Sequence, residues 1–538
     1  MLLARVLVVV LLVLLLARIA VTRTAVIKRT PLDIPLLLFI ASGALSTVFA
    51  ENRNVALLGT YSRYDGLLTL VTYAALFWLA VHSLASANEA RSLVHVLIAS
   101  GCAAAVVAIV QSLHDSLQYS TVAPAFGSLG NPNVLGAFLA LVIALAVGEL
   151  LVSVTLPARI LLASVVIVCG LALMLSLSRS SWFATAAAIV FLVVARPRRL
   201  RALAVLTAPV VGLLLLVVVV SYASSGSGQL ERTLVERVMS TLDPHTLERA
   251  RTGIWGDSLR LVASRPVVGY GPDNVGLVFP RFQTGDWGMT YALATGNIRE
   301  PIDKAHAELL QVAATQGAVG VATYLLIQLA FLRALWRARR IDQAVIAGAG
   351  WIAYQLVLQL NFAALAAALP FWIFAAAATA LCDAVRTRTE TVDRRSTGLL
   401  LAPAFAAAAA VSLWGIILPY LADSALRQAV DADYAGRPRD AQPLAAQARQ
   451  MMPWESVYAV EVGNIAFERH DWPGARSAYQ RAAELGTFNP LVYRNLALAD
   501  LNLGLGADAK AAARKAVELD RFDAANQALL AEFTANKP

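Results

Sequence analysis

Residues 133–154 read NVLGAFLALVIALAVGELLVSV, an apolar run that carries a single charged residue, Glu149. A helix needs about 20 predominantly apolar residues to cross the hydrocarbon core of a bilayer. Other stretches of the chain have a similar length and composition. The sequence therefore predicts an all-α fold, a polytopic membrane helix bundle of about twelve spans. The predicted spans are residues 2–20, 31–50, 67–86, 93–111, 133–154, 157–178, 182–196, 201–222, 308–331, 342–364, 366–385 and 398–420.

The composition of the 538-residue chain supports a membrane protein, because 58% of its residues are hydrophobic, 15% are charged and its mean hydropathy is +0.65. A net charge of +9 would indicate a nucleic-acid partner in a soluble protein. Here the arginines cluster between apolar stretches, which is typical of topology signals, so we predict no nucleic-acid partner. We also predict no disulfide, metal site or cofactor, because the cysteines lie inside apolar stretches without the spacing of metal ligands. They are Cys102, Cys169 and Cys382.

Basic connections decide the predicted sidedness. The first apolar run could belong to a signal peptide, but no A-x-A-like cleavage site precedes the basic residues that follow it, so we interpret it as the first span. The first, seventh, ninth and eleventh connections are basic, and cytoplasmic connections carry the excess of Lys and Arg. We therefore predict that the even connections and the C-terminal region are extracytoplasmic. These even connections are residues 51–66, residues 112–132, a tight turn around Arg179, and a long loop.

The chain divides into four predicted segments. Residues 1–222 hold the first eight spans, residues 223–307 form the long extracytoplasmic loop, residues 308–422 hold the last four spans, and residues 423–538 form a repeat domain. Alanines recur in this last segment with a 34-residue period, which is that of tetratricopeptide repeats built from helix pairs. Such a domain could bind a protein partner, act as a spacer or self-associate. The alanines are Ala441, Ala475 and Ala509, and again Ala448, Ala482 and Ala516.

Two of the predicted outer connections hold polar turns before spans. In GSLGNPN (127–133), Asn131 fits a helix N-cap, or Asn131 and Asn133 bind an anionic head group with the free N–H groups of the turn. In SRSSW (178–182), Arg179 is either a lipid anchor at the interface or a phosphate ligand. We favour the phosphate ligand, because an outer arginine breaks the positive-inside trend.

A third motif lies in the long loop, where RARTGIW (249–255) is followed by PVVGYGP (266–272). Arg251 and Trp255 are four residues apart and share one helical face, and Arg249 lies beside them. The alternative is a surface helix with a packed tryptophan.

The fourth motif, DKAHAELLQ (303–311), lies where the loop returns to the membrane, and it contains Lys304, His306 and Glu308. His306 is a candidate general base, because the unperturbed pKa of histidine lies near neutral pH. The alternative is an interfacial histidine without a catalytic part.

Together the motifs resemble those of the O-antigen ligase family, which includes O-antigen polymerases and protein O-oligosaccharyltransferases. SLGNPN, SRSSW, RTGIW with SRPVVGYGP, and KAHAELLQ occur in the family's order over most of residues 120–330. The family usually has Asn directly after the histidine, where this chain has Ala307. The resemblance implies a multi-pass protein of the bacterial cytoplasmic (inner) membrane that takes its glycan from a polyprenyl diphosphate carrier.

The mechanism implied by the resemblance is inverting, metal-independent transfer of the glycan to an acceptor hydroxyl at the outer face of the membrane. We assign Arg179 and Arg251 to the leaving diphosphate, with Arg249 as the substitute, and His306 as the base that takes the hydroxyl proton. The acceptor is a glycan, a lipid or a protein, and the apolar span walls would hold the prenyl tail among membrane lipids. Further predicted substrate-binding residues are Asn131, Asn133, Trp255, Lys304 and Glu308.

Two other classes of function compete with this enzyme. A multi-span transporter or flippase usually carries polar ligands near the membrane midplane. The predicted spans carry few ionisable residues away from their ends, apart from His82 and His95, which favours the enzyme. A membrane anchor for the repeat domain, acting as a scaffold, would leave the arginine and histidine positions without a role.

Overall fold

The computed structural model describes residues 2–61, 63–119, 124–197, 249–287, 289–293, 296–300, 302–391 and 413–535, together with residues 406 and 410. Helices dominate these ranges. Those before residue 382 are Leu2–Thr22 (α1), Asp33–Val48 (α2), Arg53–Leu58 (α3), Leu67–Ser83 (α4), Ala87–Tyr119 (α5), Pro132–Val152 (α6), Leu156–Leu175 (α7), Arg179–Ala195 (α8), Arg249–Ser264 (α9), Val275–Val278 (α10), Glu308–Arg337 (α11), Asp342–Gln359 (α12) and Leu365–Leu381 (α13).

Several of these helices suit a membrane. Within the described ranges, five are long and apolar enough to cross one, namely Ala4–Thr22, Ala87–His114, Pro132–Val152, Leu156–Leu175 and Glu308–Arg337. The shorter helices α2, α4, α8 and α13 are also apolar. The chain is thus a helical, multi-pass membrane protein. The predicted span at 201–222 and most of the one at 398–420 lie outside the described residues, so the number of about twelve spans stays a prediction.

Some helices extend beyond the predicted spans. Helix α5 continues to Tyr119 and α11 to Arg337, because polar and basic side chains at a span end can reach the interface while the backbone stays helical. Helix α8 begins at Arg179, after Ser178 in an extended conformation. Arg179 therefore lies in the first turn of a helix, although the sequence placed it in a turn between spans.

Helix α6 is the centre of the bundle, and its apolar run is buried along its whole length. It packs against α12, where a Cβ on Gly148 would lie 2.8 Å from Ile346 and one on Gly350 would lie 2.9 Å from Leu141. Residue numbers rise on one helix as they fall on the other, so the two helices are antiparallel. The charged residue of the run, Glu149, accepts a hydrogen bond of 2.7 Å from an Arg91 guanidinium nitrogen.

Two short antiparallel ribbons depart from the all-α prediction. Strand Thr24–Arg29 (β1) pairs with Arg386–Thr391 (β4), and Met289–Leu293 (β2) pairs with Gly296–Glu300 (β3). The first ribbon joins the predicted first and eleventh connections, so both lie at the same end of the bundle. This agrees with assigning them to one side of the membrane, although the sidedness itself stays a prediction.

Helix α11 is broken at Gly317, whose φ of 64° and ψ of −161° are not helical. The segment 266–271 lies against the break. The N–H groups of Tyr270 and Gly271 donate to the carbonyls of Ala314 and Thr315 at 3.0 and 2.9 Å. Beyond the break, two N–H groups of α11 donate back to carbonyls of the same segment at 2.7 and 3.3 Å. The backbone groups freed by the break are thereby satisfied, which a buried break requires.

The C-terminal region consists of helices Leu418–Tyr434 (α14), Pro438–Met451 (α15), Ser456–Glu468 (α16), Trp472–Glu484 (α17), Pro490–Asn502 (α18), Gly506–Leu519 (α19) and Ala524–Ala535 (α20). Helices α15, α17 and α19 begin 34 residues apart, as do α16, α18 and α20. The predicted alanine positions are buried where the helices meet. The predicted domain boundary at residues 422 and 423 falls inside α14. That these helices are tetratricopeptide repeats stays a prediction.

Candidate functional site

Four connections of the chain meet at one end of the helix bundle. They are residues 59–61 and 63–66 between α3 and α4, hereafter the site loop, the segment 266–273, the segment 302–307 before α11, and the turn 360–364 after α12. Lys304, His306 and Glu308, which the sequence singled out, contact the site loop, the 266–273 segment and the turn. The charged cluster that results is the candidate functional site.

Lys304 is the buried centre of this site, with 4% of its surface exposed. Its Nζ lies 2.6 Å from Oδ2 of Asp65 and 3.4 Å from Oδ1 of Asp273. Burial lowers the pKa of Lys304, but the two carboxylates outweigh burial and raise the pKa above its ordinary value. Burial by itself raises the pKa of Asp65. We interpret Lys304 as charged, because the short Nζ–Oδ2 contact and the second carboxylate both favour the ammonium form.

His306 directly precedes α11 and has a left-handed backbone, with a φ of 52°. Its imidazole packs edge-on against Phe362, with 5.2 Å between ring centroids. Burial, and after it the positive charges of Arg251, Arg63 and Lys304, lowers the pKa of His306 to about 4. The imidazole is therefore neutral at physiological pH and can accept a proton.

Two side chains in the first turn of α11 fix the segments around this histidine. Oε1 of Gln311 accepts a hydrogen bond of 2.8 Å from the N–H of Ala305. Oε2 of Glu308 accepts one of 2.9 Å from the N–H of Ala363, in the turn after α12. Glu308 therefore holds the turn that carries Phe362, the residue that packs against His306. Its predicted contact with substrate stays a prediction.

Ala307 is the N-cap of α11 and has an extended backbone, but an alanine side chain cannot accept a hydrogen bond from the first turn. We expect Ala307→Asn to supply that acceptor and to stabilise the fold by about 1 kcal/mol. Thermal unfolding of the full-length protein in detergent measures the effect. Ala307→Val is the control, because it adds bulk without an acceptor. An equal change in both variants would contradict the capping explanation.

The motifs at residues 127–133 and 178–182 contact each other. Oδ1 of Asn131 caps α6, accepting from two N–H groups of its first turn at 2.8 and 3.4 Å, and Pro132 is the first helical residue. This matches the helix-capping alternative, and it occupies the Asn131 oxygen. Oδ1 of Asn133 accepts a hydrogen bond of 3.0 Å from Ser178, which directly precedes Arg179.

The antiparallel packing of α6 and α12 shows where the motifs at residues 127–133 and 178–182 lie relative to His306. The N-terminus of α6 lies at the end of the bundle where α12 ends, and the turn after α12 carries Phe362, which contacts His306. The predicted residues Asn131, Asn133 and Arg179 therefore lie at the same end of the molecule as the charged cluster.

Arg251 on helix α9 lies close enough to His306 for its positive charge to lower the pKa of the histidine. The predicted helical face is present, since α9 spans both Arg251 and Trp255. Trp255 is half-buried, and its Nε1 is buried without a hydrogen-bond partner among the described residues. Arg249 is the first residue of α9, and its side chain lies outside the described part of the chain.

Sequence reasoning missed Arg63, Asp65 and Asp273. Arg63 forms an ion pair with Asp303, next to Lys304. Asp273 also accepts hydrogen bonds from the N–H and Oγ1 of Thr60, at 2.7 and 2.9 Å, which ties the site loop to the 266–273 segment. The available signal was the charged run YSRYDG at 61–66, in a predicted outer connection.

A cavity of about 120 Å³ extends from Lys304 into the bundle between α2, α4, α11, α12 and α13. Its walls combine aromatic rings with amide side chains, of which Gln355 accepts a hydrogen bond of 2.8 Å from Tyr324. The hydroxyl of Tyr354 is buried without a partner among the described residues. The interior of the bundle thus contains amide and hydroxyl groups, which the count of ionisable residues in the predicted spans did not include.

Comparison with known proteins gives one family. Residues 162–325 match the family model of the O-antigen ligases. The matched range includes Arg179, Arg249, Arg251, Trp255, Lys304, His306 and Glu308, whereas Asn131 and Asn133 precede it. No curated protein matches the chain. Over residues 162–325 this multi-pass membrane protein is therefore similar to the O-antigen ligases.

Proposed function

We propose that the protein transfers a glycan from a polyprenyl diphosphate carrier to an acceptor hydroxyl at the outer face of the bacterial cytoplasmic membrane. The observation that carries the proposal is His306, a neutral imidazole beside Arg251, Arg63 and Lys304. A base next to fixed cations suits a reaction in which a hydroxyl loses a proton while an anionic group leaves.

In the proposed step, the acceptor oxygen attacks the anomeric carbon as His306 takes the hydroxyl proton. The new carbon–oxygen bond forms as the bond to the diphosphate breaks, and the diphosphate leaves with the bonding electrons. Attack opposite the leaving group inverts the anomeric centre. Arg251 and Arg179 hold the diphosphate, because a guanidinium binds phosphate oxygens through two parallel hydrogen bonds. Arg249 is the substitute ligand. We propose metal-independent transfer on the basis of these side-chain cations.

The low pKa of His306 fits this step once the donor is bound. In the free protein, burial and three cations hold the pKa at about 4. A diphosphate beside those cations offsets their charge and raises the histidine pKa toward its ordinary value of about 6.5. The base then becomes stronger when the donor is in place.

The other predicted roles belong to the same proposal. The acceptor is a glycan, a lipid or a protein, and Trp255, Asn133 and Lys304 lie at the end of the bundle where the transfer would occur. The apolar span walls would hold the prenyl tail. The C-terminal helices would be extracytoplasmic tetratricopeptide repeats.

The test is an in vitro transfer assay with purified protein, a prenyl diphosphate-linked glycan, a panel of acceptors and EDTA. We expect transfer by the wild type, and we expect Arg251→Gln to lower kcat/KM about 100-fold through loss of charge-assisted hydrogen bonds. Arg260→Gln is the matched control, because Arg260 lies on the same helix and pairs with Asp257 at 2.7 Å. Absence of transfer to every acceptor, or equal effects of both variants, would contradict the proposal.

The polar cavity is the observation that favours a transporter or flippase. Its volume of about 120 Å³ is below the roughly 300–1,000 Å³ of typical ligand sites, so we rank this function second. If the protein moved a lipid-linked glycan across the membrane of vesicles without transferring it to an acceptor, the transporter or flippase would become the first-ranked function. A scaffold function predicts that neither transfer nor movement occurs.

A further inference from the structure

The C-terminal helices contact the connections that build the candidate site. Oδ1 of Asp423, on α14, accepts a hydrogen bond of 3.1 Å from the hydroxyl of Tyr61 in the site loop. The same oxygen accepts one of 2.7 Å from the hydroxyl of Tyr458 on α16. The rings of Tyr61 and Tyr458 pack edge-on, with 6.2 Å between centroids. One carboxylate therefore joins two C-terminal helices to the site loop.

Further contacts strengthen this junction on both sides of the site loop. The side-chain amide of Asn54 donates a hydrogen bond of 2.7 Å to the carbonyl of Trp454. Arg281 lies between Glu51, at 2.7 Å, and Glu518 on α19, at 3.3 Å. The C-terminal helices are thus packed on residues 51–61 and 281, rather than tethered at α14 alone.

The site loop needs such support, because its conformation is strained. Tyr64 has a φ of 55°, a left-handed conformation that costs a residue with a side chain about 1 kcal/mol or more. Such a conformation persists only where the surroundings hold it. Thr60 is held by Asp273 of the 266–273 segment, and Tyr61 is held by Asp423 of α14. The strained residue lies between Arg63 and Asp65, the two residues that the loop supplies to the site.

We propose that Tyr61, Asp423 and Tyr458 are positioning residues, through which the C-terminal helices hold Arg63 and Asp65 against the segment that carries His306. The C-terminal region then belongs to the framework of the site in addition to any partner that it binds. The activity part of this inference rests on the proposed glycan transfer. The positioning part does not, because Arg63 acts on His306 whether or not substrate is present.

The state of His306 reports the position of the loop. The cations Arg251, Arg63 and Lys304 act on His306. The nearby carboxyl groups are Asp65 and Asp273 beside Lys304, Asp303 beside Arg63, and Glu308 two residues along the chain. If the site loop relaxes, Arg63 moves away and the histidine becomes easier to protonate. Diethyl pyrocarbonate modifies only the neutral imidazole. The extent to which it labels the His306 peptide, measured as a function of pH, therefore reports the protonation of His306 without substrate.

The experiment compares three full-length variants that each lose one tyrosine hydroxyl. Tyr61→Phe and Tyr458→Phe remove the hydrogen bonds to Asp423. Tyr479→Phe is the control, because it removes a hydroxyl that donates to Asn464 at 2.9 Å inside the C-terminal helices. We expect the first two variants to lower kcat of glycan transfer about tenfold and to move His306 labelling to higher pH, with the control unchanged in both.

The two readouts separate the possible failures. Labelling that shifts in the two junction variants alone supports the positioning role, even if the wild type transfers no glycan and the proposed function fails. Labelling that is the same in all three variants and the wild type overturns the positioning role, even if the wild type transfers glycan. A shift of equal size in Tyr479→Phe also overturns it, because the effect would then be a general loosening of the C-terminal helices.

Discussion

We expect Gly317→Ala to destabilise the protein by about 4 kcal/mol or more. The φ of 64° and ψ of −161° at Gly317 belong to a region that residues with a side chain rarely adopt. A Cβ there would lie 2.3 Å from the carbonyl carbon and oxygen of Val267. The segment that carries Val267 cannot move away without breaking the backbone hydrogen bonds across the helix break. The effect is measured as the yield of folded protein in detergent and as the thermal unfolding of the protein that is recovered.

Gly170→Ala is the matched control for this substitution. Gly170 lies within α7, also an apolar helix, and a Cβ there would meet nothing within 4 Å. Alanine has the higher helix propensity, so we expect Gly170→Ala to be neutral or to stabilise the protein by up to about 1 kcal/mol. If both variants were equally stable, the helix break would not be a rigid element of the fold.

The helical membrane part of the fold could be predicted because each span must satisfy its own backbone in lipid, so its signal is local. Helix α6 shows this, since its apolar run alone indicates a buried span. The break in α11 depends on a distant segment. Gly317 hints at it, but the sequence does not say that residues 266–271 supply the missing hydrogen bonds. The ribbon of β1 and β4 is also non-local, because β1 comes early in the sequence and β4 follows the last described helix of the membrane region.

The candidate site likewise has residues that the sequence could single out and contacts that it could not predict. His306 and Lys304 could be singled out because polar residues before an apolar span are conspicuous. Their charge environment could not, because it depends on Asp65 and Asp273, which come from two other connections. For Asn131 the sequence left two roles open, and the structure shows its side chain capping α6, while binding of an anionic head group by the turn stays a prediction.

The other prediction with a large effect concerns His306. We expect His306→Ala to lower kcat of glycan transfer by about 10²–10⁴, the usual contribution of a general base, in the presence of EDTA. His306→Gln is the control for the loss of side-chain volume, because glutamine keeps a polar side chain at this position but cannot act as a base. Transfer by His306→Ala at the wild-type rate would remove this residue from the mechanism.

The pH dependence of the wild type tests the same role more closely. Only the neutral imidazole accepts a proton, so the rate falls as pH drops through the pKa of His306. The profile of kcat/KM reports the free protein, in which burial and the neighbouring cations lower this pKa to about 4. The profile of kcat reports the donor complex, where the diphosphate offsets Arg251, Arg63 and Lys304. We therefore expect the acid limb of kcat to lie at higher pH than that of kcat/KM. Coincident limbs would mean that the diphosphate binds away from these cations, and the leaving-group site would then have to be sought beside Arg179 alone.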